Sequence, residues 1–172
     1  MTIAPEPDAA SGVREVELIQ RLREGAVDAL ESCYRRHAPK LLQLATRITG
    51  ERAEAEDVVQ DVFVGLPEAL RRYEERGQFA AWLRRVTTTH ALMRRLRDRH
   101  RREVPHYAES LNQPARTDLA IDNGGVDRAL LALSPALRTV FVLRVVEGYP
   151  HAEIAAMLGI SVGSSEMRLS RA

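Results

Sequence analysis

Hydrophobic residues along this chain recur three or four positions apart, which is the spacing of an α-helix. The pattern predicts helices over about residues 13–24, 26–49, 53–70 and 79–102, and shorter helices after residue 127. Glycines interrupt the pattern where predicted helices end, among them Gly25, Gly50 and Gly159. Alternating patterns typical of strands are almost absent, so the chain is predicted to be all-α.

A change in composition divides these helices into two groups. Residues 103–126 combine prolines, asparagines and glycines with a net charge of −3 and show little apolar periodicity, so they are predicted to form a flexible acidic linker. We therefore expect a disordered N-terminus over residues 1–12 and two small helical domains, at 13–102 and 127–172.

The second predicted domain ends in a pattern typical of a helix-turn-helix. A helix from Pro150 to Leu158 is followed by Gly159 at the turn and by Ser161 as the N-cap of the next helix. In that helix, Val162, Ser165 and Leu169 are predicted to face inward. The predicted outward positions, where small residues and arginine suit a DNA groove, are Gly163, Ser164, Met167, Arg168 and Arg171. A plain helical hairpin is the alternative.

The charges are segregated, although the totals almost cancel. The 172 residues include 25 Lys+Arg and 24 Asp+Glu, a formal net charge of +1. Residues 51–70 carry a net charge of −5, whereas residues 71–102 carry +8 and contain eleven arginines. Clustered arginine indicates a polyanionic partner, because the planar guanidinium group binds phosphate through two hydrogen bonds.

The acidic charges fall on one side of the helix predicted over residues 53–70. Glu54, Asp57, Asp61 and Glu68 lie within a stripe roughly 60° wide on a helical wheel, opposite a broad apolar face. Glu54, Asp57 and Asp61 have no Lys or Arg four positions away to relieve their repulsion. This favours a basic partner surface. An ordinary solvated face and a divalent metal site are the alternatives, the latter without a nearby histidine to complete it.

The arginine-rich helix predicted over residues 79–102 has a core face of its own. Its members are Phe79, Trp82, Leu83, Val86, His90 and Met93. Thr87, Thr88 and Thr89 are predicted to form a small polar patch among the arginines. Tyr73, just before this helix, is a candidate for stacking on an unpaired base, whereas Phe79, Trp82 and His90 are more typical of an interior.

Several classes of protein are excluded by composition. A single cysteine, Cys33, cannot form an intramolecular disulfide and indicates a reducing cytoplasm. The most apolar stretch, residues 130–146, is interrupted by Arg138 and Arg144, so no membrane insertion is expected, and the N-terminus does not resemble a signal peptide. No nucleophile–base set, glycine-rich phosphate loop or Cys/His metal cluster is present, so we expect no enzyme activity, cofactor or metal. Two alternatives stay open: a helix-turn-helix regulator that binds duplex DNA alone, and a helical enzyme with Glu54, Asp57 and His90 around a divalent ion.

Six motifs occur in an order that resembles a known family. They are Ala55-Glu56-Asp57-Val58-Val59-Gln60-Asp61-Val62-Phe63; Phe79…Trp82-Leu83…Val86; Leu133-Ser134-Pro135…Arg138…Phe141; Glu147-Gly148; Glu153-Ile154-Ala155; and Arg168-Leu169-Ser170-Arg171-Ala172. Together they resemble the bacterial extracytoplasmic-function sigma factors, the compact two-domain group of RNA polymerase specificity subunits. The resemblance covers about residues 25–172 apart from the linker.

The resemblance implies three contact surfaces. The first, Glu54, Asp57, Gln60 and Asp61, would dock on a coiled coil of the largest polymerase subunit, and the flap region of core polymerase is also implied as a contact. The second would hold the melted −10 element of promoter DNA, and its members are Tyr73, Gly77, Gln78, Phe79, Trp82, Arg85, Thr88 and Thr89. The third, the helix from Ser161 to Arg171, would enter the major groove of the −35 element. The acidic linker would lie in polymerase channels, and an anti-sigma factor would cover the polymerase-binding surfaces.

Three residues depart from the pattern of this family. Thr89 stands where asparagine is common, and Ser165-Glu166 stand where a Val-Lys pair is usual. An inward hydroxyl at Ser165 costs stability unless it is hydrogen-bonded, and the acid at Glu166 is expected to weaken −35 binding. The family chain normally continues past the position of Ala172, so we expect either a truncated or a naturally shorter recognition helix.

Overall fold

Every regular element that the structure describes is helical. The structure is a computed structural model that describes residues 9–74, 76–103 and 125–172. Its helices are α1 (Ala9–Arg23), α2 (Val27–Thr49), α3 (Arg52–Leu70), α4 (Phe79–Glu103), α5 (Val126–Ala132), α6 (Pro135–Phe141), α7 (His151–Leu158) and α8 (Val162–Ser170), with a π-helical turn at Val142–Val146 after α6. The prediction of an all-α chain with two helical domains is confirmed.

The domain limits drawn from the sequence need one change. Helix α1 begins at Ala9, so residues 9–12, predicted as part of a disordered N-terminus, are helical. Most of the predicted linker, residues 104–124, lies outside the described residues, and so do residues 1–8.

Helices α1 to α4 form the N-terminal domain around one apolar core. Helix α2 packs against both α3 and α4, and α1 packs across α2 and α3. Because apolar residues recur three and four positions apart, each helix presents one continuous stripe to its neighbours. The largest buried side chains of this core are Ile19, Leu22, Leu41, Ile48, Val58, Leu66, Leu70, Phe79 and Leu83.

The buried face of α4 differs from the prediction in its second half. Phe79 and Leu83 are fully buried as expected, but His90 and Met93 are exposed. The buried residues there are Thr87, Thr88, Ala91 and Leu92. Small threonine and alanine side chains let neighbouring elements approach α4 closely. The buried Thr87 hydroxyl has a hydrogen-bond partner, because it donates to the Leu83 carbonyl at 2.9 Å. Of the three threonines predicted to form a polar patch, only Thr89 is exposed.

Helices α5 to α8 form the C-terminal domain and include the predicted helix-turn-helix. Gly159 adopts φ 63°, a left-handed conformation that glycine tolerates at a helix C-terminus. Ser161 then caps α8 by accepting a hydrogen bond from the Ser164 backbone N–H at 3.1 Å. Leu130, Val140, Leu143 and Ile154 form the core beneath these helices.

The two domains meet where α2 ends. Helix α2 contacts both α5 and α6. Arg138 of α6 is buried and donates to the carbonyl of Thr49, the last residue of α2, at 3.3 Å. Gly50 follows in a left-handed conformation, φ 94°, directly against the Arg138 guanidinium group. Burial lowers the pKa of Arg138 below its ordinary value, and the carbonyl groups at the end of α2 provide the partial negative charge that this cation faces.

Replacing Gly50 tests this junction. Gly50→Ala is expected to lower the free energy of unfolding by about 1–2 kcal/mol through left-handed backbone strain. We expect a further loss of about 1 kcal/mol in the free energy of unfolding, because a Cβ atom would overlap Arg138 Nη2 and break its hydrogen bond to the Thr49 carbonyl. Urea unfolding followed by circular dichroism measures both losses.

Gly25→Ala is the matched control. Gly25 also has a positive φ, 77°, but a Cβ there meets nothing within 4 Å. Equal destabilisation by the two substitutions would show that Arg138 does not depend on the space beside Gly50.

Candidate functional site

One side of α3, which carries the acidic residues, is exposed to solvent. We call Glu54, Asp57, Gln60 and Asp61 the acidic strip. Burial of Val58, Val62 and Leu66 on the other side of α3 turns the strip outward, where Asp57, Gln60 and Asp61 are exposed and Glu54 is half-buried. The strip is therefore accessible to a protein partner.

Helix α4 relieves part of the repulsion within the strip. Arg94 Nη2 lies 2.8 Å from Asp57 Oδ2, and the Asp57 side chain is still 56% exposed. The sequence showed no cation at helical spacing because this partner lies 37 positions away on another helix. The expectation of unrelieved acids is thus wrong for Asp57.

Three aromatic rings lie beneath the start of α4. The ring centroids of Tyr73 and Trp82 are 4.7 Å apart, and the ring of Phe79 lies 5.8 Å from each of them. Tyr73 is buried and Phe79 fully buried, whereas Trp82 is partly exposed. In this conformation Tyr73 does not offer a free face to an unpaired base, which corrects the expectation from sequence. Thr88 is also fully buried, so Tyr73, Phe79 and Thr88 support the surface from below.

The other residues predicted for −10 contact lie at the surface. Gly77 and Gln78 are exposed just before α4, where Gly77 has φ 68°. Arg85 and Thr89 are exposed on α4 itself, one helical turn apart, and the Thr89 hydroxyl donates to the Arg85 carbonyl at 3.0 Å. Together with Trp82, these four residues form what we call the α4 surface.

Acidic residues of the C-terminal domain pair with two neighbouring arginines of α4, Arg84 and Arg85. Arg84 Nη2 donates to Glu147 Oε1 at 2.5 Å, and Arg84 Nε donates to Glu147 Oε2 at 3.0 Å. These hydrogen bonds raise the pKa of Arg84 above its ordinary value. Arg85 forms an ion pair with Glu153, and its Cζ lies 5.8 Å from the ring centroid of Tyr149. Glu147 and Glu153 both lie in motifs that carry the resemblance, but those motifs do not indicate which arginines the two glutamates contact.

The predicted −35 residues surround the start and outer side of α8. Gly163, Met167 and Arg171 are exposed, and Ser164 and Arg168 are partly exposed. Ser161 is exposed and holds the helix cap. Val162, predicted to face inward, is 43% exposed, since it occupies the first position of the helix, ahead of the packed turn.

Ser165 is fully buried, and its hydroxyl has a partner. A hydrogen bond of 2.9 Å joins Ser165 Oγ to His151 Nδ1 at the start of α7. The predicted cost of an inward hydroxyl is thereby offset, and the two helices of the helix-turn-helix are linked through side chains.

Two kinds of feature are absent from the described residues. They contain no group of three or more His, Cys, Asp or Glu side chains arranged to hold a metal ion. None of the described helices combines the length and apolarity needed to cross a membrane.

Both domains match models of one protein family. Residues 33–102 match Sigma-70 region 2, and residues 124–172 match Sigma-70 region 4. The first match contains the acidic strip and the α4 surface, and the second contains the helix-turn-helix.

Named relatives agree with these matches. RNA polymerase sigma factor CarQ of Myxococcus xanthus is 34% identical over 161 residues, which cover 89% of this chain and 90% of CarQ. ECF RNA polymerase sigma factor SigE of Mycolicibacterium smegmatis is 31% identical over 155 residues, covering 86% of this chain and 60% of SigE.

A solved structure supports the fold. The sigma factor RpoE, crystallised with the anti-sigma factor NepR from Bartonella quintana, superposes with a TM-score of 0.51 at 24% identity, over 84% of this chain and 92% of RpoE. Together, the matched regions and the relatives identify the family. The chain belongs to the extracytoplasmic-function group of RNA polymerase sigma factors.

Proposed function

We propose that this sigma factor makes its contacts with polymerase and promoter DNA through three different surfaces. A sigma factor of this group binds core RNA polymerase, recognises the −10 and −35 promoter elements and promotes melting of promoter DNA. The acidic strip binds polymerase, the α4 surface holds the −10 strand, and α8 reads the −35 element. The observation that carries this assignment is that α3 exposes carboxylates whereas α4 exposes arginines.

The acidic strip suits a protein partner rather than DNA. Its exposed carboxylates would repel phosphate, whereas they complement a basic protein surface. Its side chains project from a rigid helix whose opposite face is fully packed, so binding requires little reordering. We assign to it the coiled coil of the largest polymerase subunit.

The α4 surface has the chemistry needed for a melted strand. Unpaired bases are held by stacking and by small pockets, and the strand backbone needs cations. Trp82 is partly exposed above the aromatic cluster, and Arg85 keeps 63% of its side chain exposed even while paired with Glu153. Gln78 and Thr89 add side chains that can hydrogen-bond to base edges.

Helix α8 suits a DNA groove at its N-terminal end. Gly163 and Ser164 are small enough to allow close approach to the bases, and Arg168 lies one turn further along the helix. The Ser161 cap fixes where the helix begins, so it also fixes which side chains reach the groove.

An anti-sigma factor completes the set of partners that we propose. The family resemblance implies a protein that covers the polymerase-binding surface, and the acidic strip is exposed enough to be covered. The chain has no catalytic activity of its own in this proposal, and it acts with polymerase in the cytoplasm.

Reversing one charge tests the acidic strip. Asp61→Arg is expected to weaken binding to core polymerase by about tenfold or more, because it places a cation against a basic partner. The fold should persist, since Asp61 is exposed. Co-elution with core polymerase and a thermal melt measure the two properties.

The matched control is Glu56→Arg on the same helix. Glu56 is exposed and pairs with Arg52 at 2.8 Å, and it lies about 140° around α3 from Asp61. Equal loss of polymerase binding in both variants would overturn the assignment of the strip.

Removing one arginine tests the −35 assignment. Run-off transcription with core polymerase on a randomised promoter library reports the base preference at each promoter position. Arg168→Ala is expected to relax the preference at one or two −35 positions, with a loss of about 1–3 kcal/mol of discrimination, if its guanidinium group binds a base edge.

Arg128→Ala is the control for overall charge. Arg128 is exposed on α5 of the same domain and outside the helix-turn-helix, so its loss should leave every base preference intact. A library profile for Arg168→Ala that matches the Arg128→Ala profile would contradict a role in base recognition. Absence of run-off product with the unaltered chain would contradict the proposed function as a whole.

A further inference from the structure

Arg23 of α1 holds the end of α3 and the chain that follows it. Arg23 Nε donates to the Leu70 carbonyl at 3.1 Å, and Arg23 Nη2 donates to the Tyr73 carbonyl at 2.5 Å. Leu70 is the last residue of α3, and its carbonyl also accepts from the Tyr73 backbone N–H at 3.2 Å. One guanidinium group therefore binds both ends of the turn by which the chain leaves α3.

The end of α3 has no glycine cap and no cation of its own. Its last turn contains no basic residue, and Arg71, which follows it, is in a right-handed conformation with φ −60°. The last carbonyl groups of a helix have no partners within the helix and carry partial negative charge. Because Leu70 and Tyr73 are both buried, water is a poor donor to their carbonyls, and a cation from α1 takes its place.

This turn leads to the residues that the proposed function assigns to the −10 strand. Gly77 and Gln78 are exposed four and five positions after Tyr73, and α4 begins at Phe79. The Tyr73 ring lies 4.7 Å from the ring of Trp82, which is partly exposed on the α4 surface. The backbone that Arg23 holds is thus continuous with the loop and supports Trp82 from below.

We infer that Arg23 is a positioning residue for recognition of the −10 element. By fixing the Tyr73 backbone, it determines where the Tyr73 ring packs against Trp82 and where the loop to Gln78 begins. Arg23 does not touch DNA in this role. The inference rests on the proposed function, and it adds to the −10 surface a residue of α1, a helix that precedes the match to Sigma-70 region 2 at residues 33–102.

A merely structural role for Arg23 would have different consequences. Loss of a structural contact lowers the free energy of unfolding, and so lowers the amount of active chain equally for every promoter. Loss of a positioning contact changes which promoters are used, because a looser loop holds each base less selectively. Base preference therefore separates the two roles, whereas total product does not.

Replacing the guanidinium group tests the inference in the full-length chain. Arg23→Met keeps most of the length of the side chain and removes both hydrogen bonds. With core polymerase and the randomised promoter library, it is expected to reduce base preference at −10 positions about fivefold or more and to leave the −35 preferences unchanged. Unchanged −10 preferences in the folded variant would overturn the inference.

Fluorescence gives a second readout that needs no polymerase. Trp82 is the only tryptophan in the sequence, and it packs on the ring whose backbone Arg23 holds. In the free chain, the rate constant for quenching of its fluorescence by acrylamide is expected to rise about 1.5-fold or more in Arg23→Met. An equal rate constant in the folded variant and in the unaltered chain also overturns the inference.

Arg21→Met is the matched control, because it removes another arginine of α1. Arg21 pairs with Asp28 of α2 at 2.5 Å, and both side chains are largely exposed. Its −10 preferences and its Trp82 quenching should equal those of the unaltered chain. Equal changes in Arg21→Met and Arg23→Met would show that the charge of α1, rather than the two hydrogen bonds, is responsible, and this too counts against the inference.

Arg23→Lys keeps the inference testable if Arg23→Met does not fold. The lysine ammonium group retains the charge beside the end of α3 but lacks the rigid fork that reaches two carbonyls at once. Its −10 preferences are expected to fall about twofold at an almost unchanged melting temperature. A −10 profile identical to that of the unaltered chain would overturn the inference.

The same transcription experiment separates failure of this inference from failure of the proposed function. Normal run-off with intact −10 preferences in Arg23→Met would overturn the role of Arg23 and leave the proposed function standing. Absence of run-off product with the unaltered chain would contradict the proposed function and, with it, the role of Arg23 in −10 recognition.

Discussion

Clustered guanidinium groups repel one another, so the arginine-rich helix α4 depends on carboxylates from neighbouring helices to offset its charge. Helix α4 meets acids on two sides. Asp57 of α3 pairs with Arg94 within the N-terminal domain, and Glu147 and Glu153 pair with Arg84 and Arg85 across the domain junction. The same helix thus connects the surface assigned to polymerase with the C-terminal domain.

Through these ion pairs, a change in charge at the acidic strip or at the α4 surface affects a helix that both surfaces share. Under the proposed assignment, a polymerase segment at the acidic strip would compete for Asp57 and change the charge that surrounds Arg94. Under the same assignment, a DNA strand on the α4 surface would compete for Arg85 and leave Glu153 without that partner. Because α4 is a single continuous helix, both competitions act on one rigid body, and the charges of the partners determine which contacts it keeps.

Local chemistry in the sequence was enough to predict most of the helices. The turn between α7 and α8 is an example, since Gly159 and Ser161 specify a left-handed residue and an N-cap without help from distant residues. The buried face of α4 could not be predicted in this way, because the neighbours of Thr88 and Ala91 come from other helices. The Arg84–Glu147 pair joins residues 63 positions apart, and periodicity carries no information about contacts at that range.

The link between His151 and Ser165 has a consequence for how steadily the recognition helix is held. An imidazole ring accepts at Nδ1 in one neutral tautomer and donates there in the other, and a hydroxyl group can take either complementary role. The contact of 2.9 Å between them can therefore form with either tautomer. An aliphatic side chain in place of Ser165 would fill the same space but would leave that nitrogen unmatched, so the serine helps to fix the position of α8 against the start of α7.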